Sequence, residues 1–396
     1  MSDASPESLF TPADHPLAGP VMAALATVQD PEIKRPITEI GMVDAVSIDD
    51  TGRLTVRILL TISGCPLKDT LRSDTTAATS KVDGVTSVDV ELGVMTDEQR
   101  GALRKQLTGN ATEREIPFAK PGNLTQVIAI ASGKGGVGKS SVTVNLASAL
   151  AARGRKVGVL DADIYGHSVP TMLGVDEARP TSVDNMIMPV PAGDLKVMSI
   201  GMLKQRKDQV VAWRGPILDR ALTQMLADVY WGDLDFLLLD LPPGTGDVAI
   251  SLGQKLPNAE VVVVTTPQQA AAEVAERAGT MASMLNQRVI GVVENMAWLE
   301  TSCPDCGASH RVELFGSGGG DTTATTLSTR LGYEVPLLAQ VPLQQQLREG
   351  GDVGRPIVTT DPDGPAGQAL QGLADRIAGR GRRLVGKQLG LAPVGR

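Results

Sequence analysis

"VIAIASGKGGVGKS", residues 127–140, decides the fold. An apolar run suited to a buried strand leads into a loop with glycine at 133, 135, 136 and 138, and a helix-forming segment follows. Strand, glycine-rich loop and helix, in that order, let backbone N–H groups wrap phosphate oxygens while the helix N-terminus adds its dipole. In this arrangement Lys139 reaches the β- and γ-phosphates and the Ser140 hydroxyl coordinates Mg²⁺. The expected nucleotide-binding segment is therefore Gly133, Lys134, Gly135, Gly136, Val137, Gly138, Lys139, Ser140 and Ser141. Lys134 is unusual, because it places a second lysine directly after the first glycine. It has no evident partner within its own loop and can reach another subunit's phosphates.

Further along, near-continuous apolar runs recur: "KVGVLDAD", "LKVMSI", "DFLLLDLP", "EVVVVTTP", "VIGVVEN" and "VPLLAQVP". Helix-length segments separate several of them. Strands buried on both faces imply an α/β P-loop NTPase fold, with a mostly parallel sheet between helices. A small α/β domain is expected in front, at residues 18–93. There Leu54, Val56, Ile58 and Leu60 alternate as a strand, and "MVDAVSI" is the other arm of a hairpin. Residues 1–17 read as a disordered leader and 94–123 as a linker holding one helix. Residues 124–380 read as the ATPase domain with a CxxC insert, and 381–396 as a basic tail.

A formal net charge of −8 argues against non-specific nucleic-acid binding. No apolar run is long enough to span a bilayer, so stable membrane insertion is not expected. Three cysteines in 396 residues are too few for a disulfide framework, which places the chain in the cytoplasm.

Two acidic segments belong to the phosphate site. "VGVLDADIYGHS" ends a strand with two aspartates, Asp161 and then Asp163 at the strand end or already in the loop, and "DFLLLDLPPGTGD" ends one at Asp240. Acids at the C-terminal ends of strands beside a phosphate loop suit a Mg²⁺–nucleotide site, with Asp240 holding Mg²⁺ through water. Gly244 follows as a backbone donor or pivot. No NKxD sequence stands at a strand end, so ATP is favoured over GTP.

"TSCPDCGASH", residues 301–310, spaces Cys303 and Cys306 for metal binding. A structural zinc site needs four ligands, and a 4Fe-4S cluster needs four thiolates. From spacing alone, a zinc knuckle with His310 as a third ligand stands beside half of a cluster site. Cys65, before Pro66 at an expected helix N-terminus, is a candidate reactive thiol.

The paired lysines resemble the deviant Walker A ATPases of the MinD, ParA and nitrogenase iron protein class. "LDADIYGHSVPTMLG", "VAWRGPILDRAL", "LLLDLPPGTGD", "VVENMAWLETSCPDCG", "LFGSGGG" and "REGGDVGRPIV" together resemble the Mrp/ApbC family of iron–sulfur cluster carrier ATPases, over roughly residues 124–360. The N-terminal unit, with "SGCPLKDTL", is similar to an iron–sulfur assembly domain. His167 departs from the family's usual proline, and Trp213 and Arg214 are candidates for an interface or switch element. The resemblance implies that Lys134 crosses a nucleotide-sandwich homodimer, that Asp163 positions the attacking water and that Asp161 supports the Mg²⁺ shell. It also implies that Asn295 pairs with adenine. In such a dimer two CxxC motifs can meet on the two-fold axis and supply four thiolates to one 4Fe-4S cluster. The implied partners are a second copy of the chain, apo iron–sulfur client proteins and an assembly scaffold. Alternative readings are a MinD/ParA-like positioning ATPase with an amphipathic C-terminal segment, a zinc-binding P-loop ATPase, and an electron-transferring reductase.

Overall fold

A computed structural model describes residues 9–12, 15–61, 67–108, 115–120, 122–164, 166–183, 186–203, 215–303 and 305–380. They fall into two compact units.

In the first unit, alternation along Arg53–Leu60 (β3) buries Leu54, Val56 and Ile58. Its hairpin partner Val43–Ile48 (β2) runs antiparallel, as the turn "DDTG" requires. The short strand Phe10–Thr11 (β1) and the strand Ser87–Val94 (β4) complete a sheet in the order β1-β2-β3-β4. Three helices belong to this unit: Ala18–Leu25 (α1), Lys68–Thr79 (α2) and Asp97–Thr108 (α3). α1 contributes Val21 and Leu25 to the core, and α2 contributes Leu71.

The second unit begins with Gln126–Ser132 (β5), Lys139–Ala152 (α4), Val157–Asp161 (β6) and Val169–Met172 (α5). The chain then returns to the first unit as the hairpin Thr181–Val183 (β7) and Met186–Met188 (β8), which buries Val183, Met186 and Met188 in that unit's core. There Thr181 Oγ1 donates to Glu32 Oε2 at 2.9 Å. The second unit resumes with Val190–Ala192 (β9), Leu195–Ser199 (β10), Gly215–Ala227 (α6), Phe236–Asp240 (β11), Asp247–Lys255 (α7), Glu260–Thr265 (β12) and Gln269–Met284 (α8). Arg288–Ser302 (β13), Ser309–Val312 (β14), Gly319–Leu331 (α9), Leu337–Leu343 (β15), Gln345–Asp352 (α10), Ile357–Thr360 (α11) and Pro365–Ala378 (α12) follow.

The nine-stranded sheet has the order β14-β13-β12-β5-β11-β6-β10-β9, with β15 paired to β13. Only the β9–β10 and β13–β14 pairs are antiparallel. The rest is parallel and flanked by helices, as the apolar runs predict. β6, β11 and most of β5 and β12 are buried, because helices cover them and nothing polar is needed on either face. The consecutive strands β5 and β6 are separated by β11, so a crevice opens at the carboxyl ends of these strands, where the phosphate loop lies. Among the described residues, no helix is long and apolar enough to cross a membrane.

Candidate functional site

The phosphate loop joins β5 to α4, and two of its glycines are enforced by close approach. A Cβ on Gly133 would lie 2.2 Å from the Val274 carbonyl carbon of α8. Gly138 caps α4 with φ +78°, and a Cβ there would lie 2.1 Å from Asn295 Nδ2. Gly135, Gly136, Val137 and Ser141 line a cavity of about 740 Å³, together with Lys134, Lys139, Ser140 and Asp163. That volume suits a nucleotide.

Under the loop lies a buried polar cluster. β11 pairs with β6 so that Asp240 stands opposite Asp161. Lys139 Nζ sits 2.8 Å from Asp240 Oδ1. Ser140 Oγ donates to Asp240 Oδ2 at 2.6 Å, and Thr143 Oγ1 donates to Oδ1 at 2.8 Å. Thr143, which the motif does not include, belongs to this cluster. It stands one turn after Lys139, on the same face of α4, and that spacing is the signal that finds it.

Asp161 accepts from the Asp163 N–H at 3.1 Å, from Ser199 Oγ at 3.2 Å and from the Val169 N–H at 3.3 Å. Burial, reinforced by the neighbouring Asp240 charge, pushes its carboxyl up to about 8. Between the ordinary carboxylate range and that value, the folded chain keeps a proton that the unfolded chain has released. Stability of the ligand-free protein should therefore fall as pH rises from about 4 to about 8. Asp161→Asn should flatten that slope and raise the melting temperature at pH 8. Thermal unfolding of both proteins from pH 5 to pH 9 checks this, and equal slopes would contradict it.

Asp163 lines the cavity, half-exposed, and its Oδ1 accepts from the Gly166 N–H at 2.9 Å. His167 follows on the same loop, half-buried. Pro243 and Asp247, the latter at the start of α7, also line the cavity. The Gly244 N–H donates to the Ser132 carbonyl at 2.8 Å, which ties the loop after β11 to the end of β5. Asp163→Asn keeps a carbonyl able to accept the Gly166 bond, so it tests the charge alone. It should leave ATP affinity within a few-fold and slow hydrolysis by about 10² or more. Filter binding and steady-state turnover separate the two effects. Lost affinity with normal turnover of bound ATP would move the water-positioning role to another residue.

Lys134 does have a partner in its own chain: Nζ donates to Gln268 Oε1 at 2.9 Å. The two residues are distant in sequence but meet because β12 lies beside β5, with Val264 opposite Ser132. No local pattern signals Gln268.

Asn295 connects the loop to the cysteine pair. Its Nδ2 donates to the Val137 carbonyl at 2.9 Å, while its Oδ1 is buried without a partner among the described residues. Met296 then takes φ +56°, a left-handed kink, and the strand continues to Ser302. Beyond it, β13 and β14 form an exposed hairpin. Cys303 and Cys306 occupy its tip. The Cys303 N–H donates to the Ala308 carbonyl at 2.8 Å, and the Gly307 N–H donates to the Cys303 carbonyl at 2.9 Å. The backbone N–H groups of Cys306 and Asp305, and then the Cys306 thiol, hydrogen-bond the Cys303 sulfur and lower its pKa. Cys303 is half-buried and Cys306 exposed. His310 is also exposed, paired across the hairpin with Thr301. Among the described residues, no group of three Cys, His, Asp or Glu side chains is poised to hold a metal ion. Cys65, Trp213 and Arg214 lie outside the described residues.

The family model described as an iron-transfer P-loop NTPase of the NUBPL type matches residues 123–378. A second, described as an iron–sulfur cluster assembly protein, matches residues 20–109. The iron–sulfur cluster carrier protein of Mycobacterium tuberculosis strain H37Rv is 54% identical over 383 residues, which cover 97% of this chain and 99% of that one. The protein of the same name from Escherichia coli K12 is 39% identical over 362 residues, 90% of each chain. A solved nucleotide-binding protein from Archaeoglobus fulgidus, in complex with ADP, is 35% identical with a TM-score of 0.52. It covers 64% of this chain and 96% of its own.

Proposed function

The chain belongs to the iron-transfer P-loop NTPase family, and from that premise we propose that it hydrolyses ATP while carrying a 4Fe-4S cluster between two copies of itself, for delivery to apo-proteins. One observation carries the reading. A two-thiol knuckle sits at the end of the same strand, β13, whose Asn295 touches the phosphate loop. Cargo site and nucleotide site are thus eight residues apart on one element. Two thiols are half of a 4Fe-4S coordination set, and a two-fold dimer supplies the other half. Zinc would need two more ligands, and His310 sits on the exposed arm of the hairpin, facing Thr301.

The hydrolytic chemistry follows from the loop. Its N–H groups and Lys139 bind the triphosphate. Asp163 orients the water that attacks the γ-phosphorus, and Lys134 of one protomer adds positive charge at the phosphates bound by its partner. Ser140, Asp240 and Asp161 offer an all-oxygen donor set that suits Mg²⁺. When bound, Mg²⁺ neutralises charge on the phosphates. Asn295, whose Oδ1 is buried without a partner among the described residues, is the residue that the family resemblance pairs with adenine. The thiols must stay reduced to hold a cluster, which fits the cytoplasm.

The test is transfer. Reconstituted protein, incubated with an apo 4Fe-4S dehydratase and an iron chelator, should restore the dehydratase's activity, whereas chelated iron and sulfide alone should not. Loss of the cluster to the chelator, with no activity recovered, would contradict a carrier role.

A further inference from the structure

In the proposed dimer Lys134 serves the partner's phosphates, yet in the single chain its ammonium is already engaged. The bond to Gln268 Oε1, 2.9 Å long and half-buried, joins the phosphate loop to the start of α8. Gln268 occupies the N-cap position of that helix in extended conformation, but its side chain makes no capping hydrogen bond. Its carbonyl oxygen is given to Lys134 instead. The seat is firm on both sides. Gly133 is pressed against the backbone of Val274 and Ala275, and Ser132 Oγ donates to the Lys134 carbonyl at 3.1 Å. The side-chain bond is the adjustable part. An amide oxygen carries no formal charge, so it holds an ammonium less strongly than a phosphate oxygen does.

We propose that Gln268 is a positioning residue that parks Lys134 within its own chain and yields it to the partner's triphosphate. The strength of this amide–ammonium bond thereby sets the protein concentration at which ATP drives dimerisation. The proposal rests on the trans role of Lys134. It differs from a structural role for Gln268 because the sign of its effect depends on charge. Removing the acceptor frees the lysine, and a carboxylate in its place holds the lysine harder.

The experiment is sedimentation of the full chain with Mg²⁺ and a non-hydrolysable ATP analogue, for Gln268→Ala and Gln268→Glu, each with and without Lys134→Ala. Two latches open per dimer. Losing a modest hydrogen bond in each chain, about threefold apiece, should lower the dimer dissociation constant about tenfold in Gln268→Ala. Gln268→Glu should raise it by a similar factor or more. Neither variant should shift it in the Lys134→Ala background. Shifts of the same sign for Ala and Glu, or shifts that persist without Lys134, would overturn the latch while leaving the trans role standing. Unchanged dimerisation and hydrolysis in Lys134→Ala alone would overturn the trans role, and the latch with it.

Discussion

Lys139→Ala should reduce ATP turnover by about 10² or more, because the γ-phosphate loses its main in-loop charge at the moment negative charge shifts onto it. The structure adds a second consequence. Lys139 Nζ is the cation 2.8 Å from Asp240, a fully buried carboxylate that stands opposite Asp161. Removing one member of a buried pair leaves the other uncompensated and typically costs about 3–5 kcal/mol. The ligand-free variant should therefore also melt at lower temperature, and Mg²⁺ should restore part of the difference by supplying positive charge beside Asp240. Lys139→Gln keeps a donor for Asp240 and tests catalysis with less damage to the fold. Turnover near the parent's in both variants would refute the phosphate-loop assignment.

The second large effect is at the hairpin tip. Cys303→Ala or Cys306→Ala leaves a dimer with two thiolates, too few for a stable 4Fe-4S cluster. Iron and sulfide should fall well below about four of each per dimer after anaerobic reconstitution. The bonds from the Cys303 N–H to the Ala308 carbonyl and from the Gly307 N–H to the Cys303 carbonyl survive either substitution, and only the hydrogen bonds to the Cys303 sulfur are lost in Cys303→Ala, so the hairpin itself should persist. His310→Ala should leave bound iron unchanged, since in the proposed dimer four thiolates fill the coordination. A zinc knuckle has the opposite pattern: one zinc per chain, no visible absorption and strong dependence on His310.

How far the sequence reveals this depends on how local each feature is. The phosphate loop is legible because strand, glycines and helix are contiguous, and the glycines answer to contacts at known positions. The acids at 161 and 240 are legible as strand ends. Their mutual repulsion is not, because it arises from the β6–β11 register, which unites segments nearly 80 residues apart. Lys134 has no visible partner until β12 is placed beside β5 and brings Gln268 alongside. The cysteine spacing is legible, but its relation to the nucleotide loop is not. The apolar run that marks β13 stops near Val293, while the strand itself passes through the left-handed Met296 and ends beside Cys303. The return of residues 181–188 into the first unit's core has no motif at all, only Val183, Met186 and Met188 waiting for a surface to cover.

In the proposed dimer one cluster is shared by two chains through Cys303 and Cys306. The most direct measurement is iron, sulfide and native mass on the same anaerobically reconstituted sample, with ultraviolet–visible and Mössbauer spectra to identify the cluster. About four iron and four sulfide are expected in a particle of two chains, with 4Fe-4S spectra. A single chain that retains a complete cluster, or a dimer that carries one zinc per chain instead, would contradict it.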